Sequence, residues 1–192
     1  ALFCFCQILR ASSMVCILAV AASLFAVAQG ARIVSNKTSS VVGDAPRQIV
    51  NMMDKKAGRG TCVDAYSPNG NSEGIHKIET NIVMWKCHGQ PHQQWLTTMN
   101  GEIKNKKTGY CLDIFHNTCK KGQNVILYTC NGQRNQKWIW DEETKQLRST
   151  KCPSYCMDIQ MSSGRKLRNV HLHKCKKSGD MSDQQWSIEK IR

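Results

Sequence analysis

The tripeptides Gln93-Gln94-Trp95, Gln136-Lys137-Trp138 and Gln184-Gln185-Trp186 share the pattern Gln-x-Trp, and they decide how this chain folds. One such tripeptide is weak evidence of a repeat. Three of them, at intervals of roughly 45 residues, indicate that one structural unit occurs three times.

Two further markers precede each tryptophan in the same order. The first is a tripeptide of Cys, an aliphatic residue or Met, and Asp: Cys62-Val63-Asp64, Cys111-Leu112-Asp113 and Cys156-Met157-Asp158. The second is another cysteine, Cys87, Cys130 or Cys175. The shared order predicts three copies of one unit, covering about residues 48–100, 101–144 and 145–192.

The local pattern within each copy is typical of β-structure. Short runs alternate apolar and polar residues, as in residues 82–86, 125–129 and 170–174, and Gly, Asn or Pro separate them. Outside the N-terminal segment, the one candidate helical turn lies near Asn51 to Lys56. A single copy cannot bury its apolar face alone, whereas three copies can close into a barrel without free strand edges. We therefore predict an all-β fold.

These motifs together resemble the ricin B-type lectin domain, a β-trefoil, over about Gln48 to Arg192. The resemblance implies a six-stranded barrel capped by three hairpins, with pseudo-threefold symmetry. It also implies a function without catalysis: binding of galactose or N-acetylgalactosamine in up to three shallow sites.

The residue types in each copy suit a sugar. A pyranose has one apolar face of C–H groups and a fan of hydroxyls, so a site needs an aromatic platform and fixed polar groups. An Asp carboxylate accepts two hydroxyl protons with charge-assisted strength, and an Asn amide both donates and accepts.

The resemblance assigns five residues to each site, and they are given below in one order. The first is the aspartate that accepts from sugar hydroxyls, and the second is the aromatic residue on which the sugar stacks. The third contacts the edge of the sugar, the fourth holds the position usually occupied by Asn, and the fifth is the glutamine that supports the aspartate. In the second copy they are Asp113, Tyr128, Asn131, Asn135 and Gln136. In the first copy they are Asp64, Trp85, His88, His92 and Gln93. In the third copy they are Asp158, His173, Lys176, Asp183 and Gln184.

The second copy departs least from the family pattern, and we rank the sites second, first, third. In the third copy the platform is a small imidazole, and Asp183 would repel Asp158. Alternatives stay open. The Asp residues can instead form turns through local backbone hydrogen bonds. The Gln-x-Trp tryptophans are expected in the core rather than at a ligand.

Eight cysteines follow the N-terminal segment, and an even number in an exported domain indicates disulfides. Because equivalent cysteines should bond equivalently, the repeat predicts Cys62–Cys87, Cys111–Cys130 and Cys156–Cys175. Cys119 and Cys152 are then left to pair with each other.

The N-terminal segment predicts export. Residues 1–28 carry one charged residue, Arg10, and an apolar run from Val15 to Val27 ends in the small-residue pattern Ala26-Val27-Ala28. We expect a secretory signal peptide at 1–28, with Met14 as a possible initiator, and a polar linker at 29–47. A membrane anchor is the alternative, but the apolar run is short for a span, and no later stretch is long enough.

The chain is strongly basic, with a formal charge of +13 that becomes +12 without Arg10. Such charge favours anionic partners, and secretion argues against nucleic acid. The lysines and arginines cluster in two places: Lys104, Lys106 and Lys107; and Arg165, Lys166, Arg168, Lys174, Lys176 and Lys177. Expected partners are therefore galactosides and cell-surface glycoproteins, with sulfated glycans as a further possibility.

Three other functions are alternatives to a lectin. One is a polyanion- or protein-binding trefoil with vestigial sugar pockets, and another is the targeting subunit of a toxin or enzyme complex. The third, zinc binding by His171, His173 and Cys175, is disfavoured because Cys175 has a better disulfide partner. No motif for catalysis stands out, and no cofactor or metal is expected.

Overall fold

The computed structural model describes residues 45–58, 60–65, 78–161 and 168–191, which all belong to one unit, Lys37–Arg192. The expected signal peptide and most of the expected linker lie outside the described residues. Strand β1 begins at Arg47, the last residue that the sequence assigned to the linker.

Each copy contributes four strands to the described part of the chain. The first copy forms β1 (Arg47–Asn51), α1 (Met52–Lys56), β2 (Thr61–Ala65), β3 (Ile82–Lys86), a 3-10 helix (Pro91–Gln93) and β4 (Trp95–Thr97). The second forms β5 (Ile103–Asn105), β6 (Cys111–Ile114), a 3-10 helix (Phe115–Asn117), β7 (Val125–Tyr128), a 3-10 helix (Arg134–Gln136) and β8 (Trp138–Asp141). The third forms β9 (Gln146–Ser149), β10 (Tyr155–Ile159), β11 (Arg168–Lys174) and β12 (Trp186–Lys190).

The outer strands of each copy build a barrel. The last strand of one copy pairs antiparallel with the first strand of the next, as β4 with β5, β8 with β9 and β12 with β1. Pairing also links the two outer strands within a copy: Arg47 faces Trp95, and Glu102 faces Lys137. In the third copy the Trp186 N–H donates to the Lys145 carbonyl at 2.9 Å. The barrel therefore closes, as predicted, through three equivalent joints.

The inner strands of each copy form a hairpin in one shared register. Cys62 faces Trp85 in β2–β3, Cys111 faces Tyr128 in β6–β7, and Cys156 faces His173 in β10–β11. The three hairpins meet through an asparagine that precedes an aliphatic residue in each copy. Asn124 donates to Asn81 at 3.3 Å, and Asn169 donates to Asn124 at 2.8 Å. This meeting point marks the pseudo-threefold axis.

The three Gln-x-Trp tryptophans lie in the core, where they are at most 4% exposed. Each indole N–H donates to the carbonyl of the residue before the aspartate: Trp95 to Val63 at 3.0 Å, Trp138 to Leu112 at 3.2 Å and Trp186 to Met157 at 3.2 Å. A buried indole N–H needs such a partner, and this bond ties each barrel strand to its own hairpin.

Four disulfides link the described cysteines: Cys62–Cys87, Cys111–Cys130, Cys156–Cys175 and Cys119–Cys152. They are the pairs expected from the repeat and its remainder. The first three each lie within one copy and close the same hairpin. The fourth joins the second copy to the third.

One buried ion pair lies outside the repeat pattern. Asp54 of α1 is fully buried and accepts hydrogen bonds from Arg168 of β11 and from the Thr61 hydroxyl. This corrects the expectation that Arg168 belongs to an open basic cluster, because its charge is satisfied by Asp54 rather than offered to a partner. Arg165 and Lys166 lie outside the described residues.

Across residues 45–58, 60–65, 78–161 and 168–191, no helix is long and apolar enough to span a lipid bilayer.

Candidate functional site

Three buried aspartates occupy equivalent positions in the three hairpins. Asp64 on β2, Asp113 on β6 and Asp158 on β10 are 3–4% exposed. In each hairpin the aromatic residue and the aspartate lie on the same face of the two strands, since they are diagonal neighbours across the pair. The fold therefore brings each expected acceptor together with its expected platform.

The glutamine of each Gln-x-Trp is held by three side-chain hydrogen bonds that recur in every copy, one of them to its aspartate. Gln136 Nε2 donates to Asp113 Oδ2 at 2.7 Å and to the Thr129 carbonyl at 2.9 Å, and its Oε1 accepts from the Asn131 N–H at 2.8 Å. Gln93 and Gln184 make the equivalent contacts, with 2.8 Å to Asp64 and to Asp158. All three glutamines are fully buried. The glutamine–aspartate hydrogen bond is thus present in all three copies.

The second copy surrounds its aspartate with amides. Asn135 Nδ2 donates to both carboxylate oxygens of Asp113, at 3.0 and 2.9 Å. Asn131 is exposed at the edge, and its Oδ1 accepts from the Gln133 N–H at 2.9 Å. Tyr128 is half-buried at the end of β7. The five expected residues form one cluster with a fixed acceptor, amides and an aromatic ring.

The first copy replaces both amides by imidazoles. His88 Nε2 and His92 Nε2 lie 3.6 and 3.7 Å from Asp64 Oδ2. Trp85 is 40% exposed, so its ring can act as a platform. Asp64, His88 and His92 place their polar atoms within 4.8 Å of one another, a grouping that can hold a metal ion and that the sequence analysis did not consider.

The third copy uses its polar residues internally. Lys176 Nζ contacts both oxygens of Asp183, at 2.8 and 2.6 Å, so the expected edge residue neutralises the expected second acid. His171 Nε2 lies 3.2 Å from Asp158 Oδ1, while Gln184 holds Oδ2. Both oxygens of the acceptor therefore have protein partners.

His171 is the contact that sequence reasoning missed. It stands directly opposite Asp158 in the hairpin register, where the other copies carry Val83 and Ile126 opposite their aspartates. A comparison of the three copies at this position was the available signal. The alternative of zinc binding by His171 beside Cys175 is not supported, because Cys175 is bonded to Cys156.

Burial shifts the acidity of the acceptors. Burial raises the pKa of Asp64 to about 6, against a smaller opposite effect of the Gln93 hydrogen bond. Burial also raises the pKa of Asp113, and the hydrogen bonds from Gln136 and Asn135 oppose it. The pKa of His88 is lowered, again chiefly by burial. The hydrogen-bonding amides thus help to keep a buried carboxylate in its charged, accepting form.

The basic clusters are smaller than the sequence predicted. Arg168 pairs with Asp54 and Lys176 pairs with Asp183, so neither offers free charge. Lys106, Lys107 and, in the third copy, Lys174 and Lys177 are exposed.

The fold is shared with known β-trefoils. A designed threefold-symmetric protein, ThreeFoil, superposes with a TM-score of 0.62 at 22% identity, covering 77% of this chain and 100% of its own. The Vibrio vulnificus hemolysin/cytolysin β-trefoil lectin, solved with N-acetyl-D-lactosamine, gives 0.57 at 18% identity, with coverages of 77% and 96%. The C-half of an earthworm R-type lectin, solved with GalNAc, gives 0.54 at 18% identity, with coverages of 76% and 98%.

A comparison with curated proteins found no match. The family model of the ricin-type beta-trefoil lectin domain matches residues 49–186, which is most of the chain. Lectin domains of this family are carbohydrate-binding modules. This chain belongs to the ricin-type β-trefoil lectin domain family.

Proposed function

We propose that this protein is a secreted, multivalent lectin for galactose- and N-acetylgalactosamine-type glycans, with its principal site in the second copy. The observation that carries the proposal is the bidentate contact of Asn135 with Asp113, which Gln136 braces from behind. A carboxylate held in this way presents fixed lone pairs to vicinal sugar hydroxyls. Tyr128 supplies an apolar surface on the same face.

Support for the sugar class comes from the relatives. The earthworm lectin half was solved with GalNAc and the Vibrio domain with N-acetyl-D-lactosamine, a disaccharide that contains galactose. Support for secretion comes from the four disulfides, because such bonds persist in oxidising compartments.

Each site is expected to be weak alone. A single sugar on a partly hydrated surface makes few contacts, so a monosaccharide Kd of about 1 mM is reasonable. Two sites on one rigid barrel can engage a branched or clustered glycan together, with avidity gains of roughly 10²–10⁴. Cell-surface glycoproteins are therefore the proposed partners.

A glycan array probed at low salt and again at about 1 M salt tests the proposal, because high salt screens exposed charges over a few ångströms. We expect terminal galactosides to be retained at both salt concentrations. Retention of sulfated glycans alone, lost at high salt, would replace the lectin with a polyanion binder acting through exposed lysines such as Lys106 and Lys107.

The targeting subunit of a toxin is a second candidate, favoured by the likeness to a hemolysin lectin domain. It uses the same sugar chemistry, so the array does not separate it from a free lectin. Copurification of the chain from its source with a larger catalytic or pore-forming chain would decide for this candidate.

A further inference from the structure

The first and second copies hold equivalent aspartates in chemically different surroundings. Asp113 is contacted by the amide of Asn135, which carries no titratable proton in the biological range. At the equivalent places around Asp64 stand His92 and His88, with imidazole nitrogens 3.7 and 3.6 Å from the carboxylate. Histidine is the side chain whose charge changes in mild acid.

The hydrogen bonds of His88 show how its ring works. The Gln90 N–H donates to His88 Nδ1 at 3.2 Å, just as the Gln133 N–H donates to Asn131 Oδ1 in the second copy. A neutral ring that accepts at Nδ1 carries its proton on Nε2, the atom that faces Asp64. His88 therefore points an N–H toward the carboxylate, with its Nε2 3.6 Å from Asp64 Oδ2.

The same bond argues against a metal ion in this cluster. A metal held by Asp64, His88 and His92 would need the lone pair of His88 Nε2. That atom carries the proton as long as Nδ1 accepts from Gln90. The cluster is therefore better suited to exchanging protons than to holding a metal.

We propose that protons release the sugar from the first site, an inference that rests on the proposed function. In mild acid the Asp64–His88–His92 cluster takes up a proton, and the Asp64 carboxylate can then no longer accept from the sugar hydroxyls. The second site keeps its sugar under the same conditions. A proton on Asp64 removes the charged acceptor. A proton on either histidine turns an imidazole into a cation that is drawn onto the carboxylate lone pairs. Both routes compete with sugar hydroxyls for the same oxygens.

The neighbours of the Asp64 carboxylate at contact distance include no lysine or arginine among the described residues. Within 4.0 Å of the Asp64 carboxylate, the described residues place the two imidazoles and no lysine or arginine nitrogen. Of the packed elements, β1 presents Gln48 to Gln93, and β5 presents Asn105 to the His92 carbonyl. Arg47 on β1, Lys86 on β3 and Lys104 on β5 are the charged residues of these neighbouring strands.

The acidity of the groups supports a transition in mild acid. Burial raises the pKa of Asp64 to about 6 and lowers the pKa of His88. The pKa values of Asp64 and His88 are shifted toward each other, and the two groups lie 3.6 Å apart, so they titrate as a coupled pair. With a pKa near 6, the ionised fraction of Asp64 falls about tenfold between pH 7.5 and pH 5.0.

The test uses the full chain with EDTA present and measures methyl β-galactoside binding by protein NMR at pH 7.5 and pH 5.0. Asp113→Ala isolates the first site, and Asp64→Ala isolates the second. We expect the Kd of the first site to rise about tenfold in acid, and that of the second site to change less than about threefold.

Reciprocal swaps provide the matched controls. His88→Asn with His92→Asn gives the first site the amides of the second, and its pH dependence should fall to that of the second site. Asn131→His with Asn135→His should give the second site an acid release. Equal pH responses of the two natural sites, or swaps that leave both responses unchanged, would overturn the proposal.

A readout without sugar separates this inference from the lectin assignment. Imidazole NMR titration of the free protein should show His88 and His92 titrating with Asp64, so that Asp64→Asn moves both curves. Curves that Asp64→Asn does not move would overturn the inference even if galactosides bind. Moved curves without galactoside binding at any pH would leave the proton coupling in place and reject the lectin proposal.

Discussion

The second and third copies share the hydrogen bonds that hold the fold together, but they differ in the side chains that surround the aspartate. In both, the Gln-x-Trp glutamine holds the acceptor at 2.7–2.8 Å, and the indole N–H bonds the strand beneath at 3.2 Å. Around Asp113 the remaining partner is Asn135, whereas around Asp158 it is His171. The contacts that build the fold are therefore the same in both copies, and the contacts beside the aspartate differ.

The difference beside the aspartate gives the two sites different capacities. Asn135 fixes the carboxylate and remains a neutral amide. In the third copy the amide position is Asp183, whose charge is satisfied by Lys176, and His171 lies opposite Asp158. We expect the second site to bind sugar and the third copy to contribute mainly to the stability of the fold.

Replacing the core tryptophans tests whether the frame is equivalent in both copies. Trp138→Ala and Trp186→Ala should each lower the free energy of unfolding by about 3–5 kcal/mol, because each removes a buried indole and leaves a cavity. Urea denaturation with intact disulfides measures the loss. A large loss in one copy and a negligible one in the other would break the comparison, and Trp85→Ala, at a 40% exposed position, is the control.

Replacing the bracing glutamines separates frame from function. Gln136→Ala and Gln184→Ala each remove one of the two side-chain partners of a buried carboxylate, so each should cost about 1–3 kcal/mol of stability. Galactoside binding should weaken with Gln136→Ala and stay unchanged with Gln184→Ala. Titration calorimetry next to urea denaturation gives both quantities, and equal binding losses would show that the third site also works.

Acid should weaken the second site at a higher pH than an ordinary aspartate would require. Burial raises the pKa of Asp113, and sugar binding needs the ionised carboxylate, so affinity falls as pH drops through that raised pKa. Asn135→Ala removes a hydrogen bond that lowers this pKa, and it should move the midpoint further upward. Galactoside binding is measured against pH in the Asp64→Ala protein, with and without Asn135→Ala. A midpoint of the second site at or below 3.8 in the protein that retains Asn135 would contradict the expectation.

Asp158→Ala should change galactoside affinity less than about twofold, because the third copy offers only the small imidazole of His173 as a platform and pairs Lys176 with Asp183. His171→Val introduces the residue type that lies opposite Asp64. It tests whether the contact of His171 with Asp158 prevents sugar binding in the third copy. New galactoside binding in the His171→Val protein would sharpen the comparison by locating the closure at one residue.

The smallest effect concerns the basic surface. With Arg168 and Lys176 neutralised within the fold, we expect weak heparin retention that salt removes. Lys106→Ala with Lys107→Ala should shorten it slightly on a heparin column. Strong retention that persists at high salt would show that the exposed lysines form a true binding surface.

The sequence predicted the frame because each of its elements recurs three times. Gln-x-Trp, Cys-x-Asp and the second cysteine preserve contacts that every copy needs, and these led to the hairpins, the core tryptophans and the disulfide pairs. A contact that occurs in one copy only produces no repeated sequence pattern. The pairs Asp54–Arg168 and Lys176–Asp183 arise from packing between elements, and neither has a counterpart in the other copies.

The site could be predicted only in part for a related reason. Residue types near each Gln-x-Trp identified the acceptors and platforms, but not which groups would use one another as partners. His171 contacts Asp158 through the hairpin register, and His88 and His92 converge on Asp64 through a turn and a 3-10 helix. Such contacts depend on register and loop geometry, which the local pattern does not specify.

Asp113→Ala tests the central claim most directly, since it removes the acceptor of the best-formed site. Monosaccharide binding in solution should lose the share of that site, and binding to an immobilised asialo-glycoprotein should fall much further, by roughly 10²-fold or more, as avidity is lost. Asp158→Ala serves as the matched variant and should leave both assays nearly unchanged. If the Asp113→Ala protein is folded by circular dichroism and binds as before in both assays, the second copy is not the sugar site, and the lectin proposal fails where it is strongest.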